Sequence, residues 1–123
     1  MKLIDDFFKI IAQESNDSEF RCEVKLNPDH LIYQVHFPGN PVTPGACLIQ
    51  IANEILNGHF ERTFLLTNAG SIKFKKAISS EEKLSFVFTK TVFDSDSLST
   101  SLSIENEEVQ FARMSLTFKT TTS

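Results

Sequence analysis

With 123 residues, 12 of them basic and 16 acidic for a formal net charge of −4, the chain suits one folded domain, and it has no basic run to follow a phosphate backbone. Nucleic acid is therefore excluded as the expected partner. Asp5 and Asp6 interrupt the N-terminus where a signal peptide needs an unbroken apolar core, and no apolar stretch approaches the roughly 18 residues of a membrane span, so no membrane association and a cytoplasmic location are expected.

Leu3, Ile4, Phe7, Phe8, Ile10 and Ile11 recur at helical spacing, which predicts an amphipathic helix over residues 2–13. Residues 14–18 form a polar turn. Phe20 to Leu26 then alternates apolar with mostly charged residues and predicts a half-buried strand. Asn27-Pro28-Asp29 breaks that strand, and Leu31-Ile32-Tyr33 reads as a short extended entry to the most distinctive stretch of the chain.

That stretch is His36-Phe37-Pro38-Gly39-Asn40-Pro41-Val42-Thr43-Pro44-Gly45, which holds three of the four prolines and two of the four glycines. Proline fixes φ and glycine reaches conformations closed to other residues, so the cluster sets a tight backbone path with a histidine at its head. An apolar helix is predicted from about Pro44, suited to a first helical turn, to a stop at Asn57-Gly58. Ala46, Cys47, Leu48, Ile49, Ile51, Ala52, Ile55 and Leu56 cover most of its circumference, so other structure should wrap it. Its polar residues, Gln50, Asn53, Glu54 and Asn57, form a single stripe.

The second half is β-rich. Residues 71–75, 84–90 and 98–104 alternate, and turn-like sequences at 94–97 and 105–108 predict antiparallel hairpins. In the last strand the apolar phase slips between Phe111 and Ala112, a signature of a bulge, and the tail from Lys119 is expected to be mobile. Nothing divides the chain, so residues 1–123 are read as a single domain. One long antiparallel sheet curled around one apolar helix, an α+β arrangement, satisfies this order. The 12 phenylalanines, with no tryptophan and one tyrosine, should line the core and any ligand tunnel with plain apolar rings.

The residues at 36–45 followed by the apolar helix resemble the hot-dog-fold 3-hydroxyacyl-(acyl carrier protein) dehydratases of bacterial fatty acid synthesis. Ile72-Lys73-Phe74-Lys75-Lys76-Ala77-Ile78 resembles that family's third-strand motif, and Asn106 to Ala112 its final hairpin. The resemblance implies a curved antiparallel sheet around a central helix, and at least a dimer, joined edge to edge, with either a second copy or another hot-dog chain. It also implies an acyl chain carried by phosphopantetheine on an acyl carrier protein, with no metal or other cofactor. Removing water from a 3-hydroxyacyl thioester needs a base for the α-proton and a donor for the departing hydroxyl. On this resemblance His36 is the base. Phe37, Gly39, Pro44, Gly45 and Ala46 contact substrate, with the Gly45 and Ala46 N–H groups placed to stabilise the thioester oxygen.

Fourteen residues after the histidine the family has its acid, whereas this chain has Gln50, and an amide cannot release a proton as a carboxylic acid does. Glu54 lies one turn later. Three readings stay open: Glu54 is a relocated acid, a partner chain supplies the acid opposite His36, or the fold has lost catalysis and binds acyl chains or scaffolds a synthase. A hot-dog thioesterase using Glu54 to activate water is a further enzyme alternative. Cys22 and Cys47, with His30, His36 and His59, make no metal-ligand spacing, and Cys47 reads as core. His30 and His59 read as surface residues; Lys73, Lys75 and Lys76 read either as a solvated strand edge or as a contact for an acidic carrier protein.

Overall fold

The computed structural model describes residues 2–35 and 39–121 of the chain. The first element differs from the predicted helix. Leu3 O accepts the N–H groups of Asp6 (3.1 Å), Phe7 (2.7 Å) and Phe8 (3.3 Å), and Asp5 turns through φ 65°, so residues 3–7 form a tight turn. Strand β1, Phe8–Ser15, follows and pairs antiparallel with β2, Glu19–Leu26, with a register shift around Ile11. The turn reconciles the apolar spacing with a strand. Phe7 and Phe8 are adjacent yet both buried, because the chain reverses before the strand begins, while Ile11 is left 46% exposed on an edge strand.

The alternation predicted for 20–26 is observed: Phe20, Cys22, Val24 and Leu26 are buried. The expected extended entry at 31–33 is instead a single helical turn, α1, Ile32–Val35. Asn27 Oδ1 accepts the Asp29 N–H and His30 Nδ1 accepts the Ile32 N–H at 3.1 Å, which supplies the cap that propensity alone does not reveal.

Helix α2, Gly45–Phe60, starts where predicted and overruns the Asn57-Gly58 stop by a turn. Asn57 does not end it, since its side chain is committed elsewhere. Glu61, at φ 53° and ψ 46°, is the left-handed closing residue.

Strands β3 (Phe64–Phe74), β4 (Lys83–Asp94), β5 (Ser97–Glu105) and β6 (Gln110–Thr120) complete one six-stranded antiparallel sheet of order β1-β2-β4-β5-β6-β3. Both predicted hairpins form. The phase slip in β6 is a bulge, since Ile104 pairs with Ala112 and Glu105 with Gln110, leaving Phe111 extra and both Phe111 and Ala112 buried. Lys119 and Thr120, expected in a mobile tail, belong to β6, and Thr120 N–H bonds to Asp96 O at 2.8 Å. Inward residues of β4 to β6, including Phe86, Phe88, Leu102, Ile104 and Phe118, form one continuous core with Leu48, Ile51, Ala52, Ile55 and Leu56 of α2. This is the curved sheet around an apolar helix that defines a hot-dog fold.

Candidate active site

The site is built from the start of α2, its polar stripe and the segments that meet them. Pro44 is the N-cap residue, extended at φ −64° and ψ 144°, and has no side-chain cap. The first helical bonds run from Cys47 and Leu48 N–H to Pro44 O, at 3.0 and 3.3 Å, so Gly45 and Ala46 lie in the turn whose N–H groups have no intrahelical acceptor. The base of the preceding loop is pinned. Tyr33 and Thr43, both buried, share a hydroxyl hydrogen bond of 2.8 Å, and Thr43 N–H bonds to Ile78 O at 2.7 Å. Within the loop Gly39 has φ 87°, a conformation that favours glycine. His36 and Phe37 lie outside the described residues.

Gly45 lines a cleft of about 340 Å³ with Val42, Thr43, Leu48, Phe74 and Ile78. Two register irregularities bend β3, and its last residue, Phe74, lies against the helix start; a Cβ on Gly45 would stand 2.8 Å from Phe74 Cζ. Phe74 is nevertheless 55% exposed, so this end of the helix is open to solvent. Ala46 is exposed.

The stripe separates into two clamps. Asn57 Oδ1 accepts the Phe64 N–H at 2.9 Å and Asn53 Nδ2 donates to Phe64 O at 3.1 Å, which fastens the start of β3 to the helix. One turn away, Glu54 is buried at 9% exposure. Its carboxylate accepts Leu3 N–H (2.8 and 2.7 Å to its two oxygens), Ile4 N–H (2.8 Å) and Gln50 Nε2–H (2.8 Å). Both oxygens are thus used as acceptors of neighbouring N–H groups, three bonds coming from backbone. Gln50 and Glu54 line a second cleft, of about 440 Å³, with Lys2, Asn57, Arg62 and Thr63 among its walls. Most of the residues lining this cleft are polar or charged and none is a phenylalanine, unlike the phenylalanine-lined tunnel suggested by composition.

The predicted site residues therefore fall in two places on this subunit, Gly45 beside Phe74 in one cleft and Gln50 with Glu54 in the other. Sequence reasoning missed the N-terminal turn as Glu54's partner and the Tyr33–Thr43 bond, because both join positions far apart in the chain by backbone or hydroxyl groups that leave no motif. His30, read as a surface residue, is largely buried and reaches Asp6 Oδ2 at 3.2 Å. Cys47 is buried and desolvation raises its thiol pKa, while burial pushes Cys22 up to about 12; neither is primed as a nucleophile. Among the described residues no group of three or more His, Cys, Asp or Glu is gathered to hold a metal, and no helix is long and apolar enough to cross a membrane.

Comparison with known proteins agrees with this architecture. The chain is similar over 90% of its length, and 96% of the other's, to the dehydratase heterocomplex ApeI:P from Xenorhabdus doucetiae, with a TM-score of 0.73 at 15% identity. A hypothetical thioesterase with coenzyme A from Streptococcus pneumoniae TIGR4 is similar with a TM-score of 0.65 at 17% identity, covering 96% of this chain and 91% of that one. The protein smu.793 from Streptococcus mutans UA159, bound to acetyl CoA, has a TM-score of 0.65 at 12% identity, covering 95% and 90%. At such identities these likenesses establish the fold alone. No curated protein sequence matches the chain significantly. The family profile described as ApeI-like, ApeI dehydratase, matches residues 12–115, most of the chain including the apolar helix and the strands around it. The chain therefore belongs to the ApeI-like dehydratase family.

Proposed function

We propose that this chain is one subunit of a two-chain hot-dog dehydratase, contributing His36 as the base that removes the α-proton of a 3-hydroxyacyl thioester, while a second hot-dog chain contributes the acid that protonates the leaving hydroxyl. The observation that carries this reading is the pair Gln50 and Glu54. The position expected to hold the acid is an amide, and the nearest carboxylate accepts four N–H bonds, three of them from the backbone of the N-terminal turn. A subunit built in this way needs its proton donor from outside. The similar ApeI:P structure is itself a dehydratase heterocomplex.

The remaining parts of the reading rest on placement. β3 is terminal in the sheet and exposes Leu65, Ile72 and Phe74, so it offers both an unpaired edge and apolar side chains for joining a second sheet. The Gly45 and Ala46 N–H groups stabilise the thioester oxygen at the positive end of α2, with Pro44 and Gly39 shaping the approach and Phe37 against the acyl group. Lys73, Lys75 and Lys76 are exposed on either side of Phe74, which places positive charge next to the Gly45 cleft and suits an acidic acyl carrier protein delivering its phosphopantetheine arm.

Hydration of a short trans-2-enoyl thioester, the reverse reaction, tests the proposal. The chain alone is expected to be slower than its complex with a hot-dog chain bearing the acid by a factor of about 100 or more, the usual contribution of a positioned acid or base. His36→Ala in this chain abolishes the activity of the complex, and Gln50→Glu raises the activity of the chain alone. Full activity of the chain alone would overturn the two-chain reading. Release of free thiol from saturated acyl thioesters, without hydration, would replace the reading with a thioesterase.

A further inference from the structure

We infer that Glu54 acts as a positioning residue rather than as a proton donor: its carboxylate fixes the N-terminal turn, and the turn, through Asp6 and His30, sets the root of the loop that carries His36. This inference rests on the proposed dehydratase reading for the role of His36, whereas the mechanical linkage stands on its own.

The linkage can be followed bond by bond. Glu54 accepts Leu3 and Ile4 N–H at 2.7–2.8 Å. Leu3 O in turn accepts Asp6, Phe7 and Phe8 N–H, so the carboxylate and one carbonyl together organise the whole turn. Two struts leave the turn on its far side. Asn27 Nδ2 donates to Asp6 O at 2.9 Å and Asn27 N–H to Phe7 O at 2.8 Å. His30 provides the second strut. Its Nδ1 accepts the Ile32 N–H, which places the ring proton on Nε2, 3.2 Å from Asp6 Oδ2. The imidazole thus holds the first N–H of α1 with one nitrogen and the turn with the other. Phe7 completes the contact, edge-on to His30 at 5.0 Å and stacked on Tyr33 at 5.3 Å. Tyr33 is the residue whose hydroxyl meets Thr43 on the other side of the loop.

The exchange of acid and amide on the helix follows from this arrangement. Two backbone N–H groups converge on position 54, and an ionised carboxylate accepts from both, whereas a glutamine there would present one acceptor oxygen and an NH₂ that opposes a donor. Gln50, one turn earlier, has a donor to give to that carboxylate and gives it. The family's usual order of residues would leave the turn without its anchor.

The experiment uses the active complex and compares Glu54→Gln, His30→Ala and Asp6→Ala, the last being a change at an exposed side chain that leaves the core intact. Steady-state hydration of the enoyl thioester is measured across pH, and amide hydrogen exchange is measured at residues 3–8 and 31–44. Glu54→Gln is expected to lower kcat about 10- to 100-fold, the effect of misplacing a catalytic group by an ångström or so, with KM changed less than about twofold and both limbs of the pH profile kept. His30→Ala and Asp6→Ala lower kcat less and in the same manner. All three variants accelerate exchange in both segments. Loss of one pH limb in Glu54→Gln, with exchange at 31–44 unchanged, would assign Glu54 as the acid and overturn the inference. Faster exchange confined to residues 3–8 would also overturn it, leaving a local clamp. Should no assembly hydrate the thioester, the dehydratase reading fails separately, and the exchange data still decide whether the linkage reaches the loop.

Discussion

At its C-terminal end α2 is covered by a cluster of rings and tied by an asparagine clamp, although Gly58 and His59 stay exposed, while its N-terminal end is the more open of the two. Near Phe60 the helix meets a cluster of rings: His59 stacks on Phe20 at 3.8 Å, and Phe60 stands edge-on to Phe64 at 5.9 Å and to Phe93 at 5.5 Å. The Asn53–Asn57 clamp fastens β3 beside them. Near Gly45 the helix carries a backbone cap without a side-chain partner, a cleft, and a half-exposed Phe74. One helix thus spans a packed anchor and an unfinished surface, which fits a subunit that folds on one end of the helix and completes its chemistry on the other.

The largest effect that distinguishes the two ends is expected from cavities. Leu56 is fully buried near the closed end, and Leu56→Ala should cost about 3 kcal/mol, the typical loss for a buried leucine. Phe74→Ala removes more atoms but from a ring that is more than half exposed, and should cost under about 1 kcal/mol. Urea unfolding of both variants measures the contrast; equal losses would mean that the open end is as structural as the closed one.

Asn57→Ala comes next. It leaves the Phe64 N–H without its acceptor and Asn53 without one partner, in a partly buried setting, so a loss of about 1–2 kcal/mol is expected together with faster amide exchange at Phe64. The same change should leave the exchange of Leu3 and Ile4 unaltered, because their anchor, Glu54, belongs to the other clamp.

These two clamps also mark where the sequence could be read and where it could not. The stripe of Gln50, Asn53, Glu54 and Asn57 is legible as helical spacing, and so is the wrapped apolar helix, the β2 alternation, the hairpins and the bulge at Phe111, since each is a periodicity or a local turn signal. What the stripe faces is not legible, because its partners are backbone groups at Leu3, Ile4 and Phe64, and a backbone N–H has no letter in the sequence. The N-terminal helix was predicted because Leu3, Phe7 and Ile11 share a helical spacing; the turn at Asp5 buries Leu3 and Phe7 equally well, and pairing with β2 then favours a strand. His30 read as a surface residue because Asp6 lies 24 positions away.

Gly45→Ala tests the open end with a smaller expected change in stability. Its Cβ meets the tip of Phe74, a ring with solvent beside it, so the ring can pivot and unfolding should shift by under about 1 kcal/mol. The cleft beside Gly45 narrows all the same, so thioester hydration by the complex should fall by about tenfold or more if that cleft receives the acyl thioester. Unchanged activity would move the substrate away from the start of α2.

The smallest effect is a pH dependence at the closed end. His59 lies against Phe20, and desolvation lowers its pKa from the ordinary 6.5, so the folded state favours the neutral ring. The unfolded chain then binds more protons than the folded one below about pH 6.5, so this contribution is fully present above that pH and is lost as the pH falls through the lowered folded value. His59→Gln keeps a polar, half-exposed side chain that does not titrate. The difference in Tm between wild type and variant should therefore shrink as the pH falls from 7.5 to 5.5, on the order of a degree or two. Every other titratable group is common to both proteins and cancels in the difference. A pH-independent difference would mean that the ring contacts Phe20 without being desolvated by it, and the closed end would then owe its rigidity to the phenylalanines and the asparagine clamp alone.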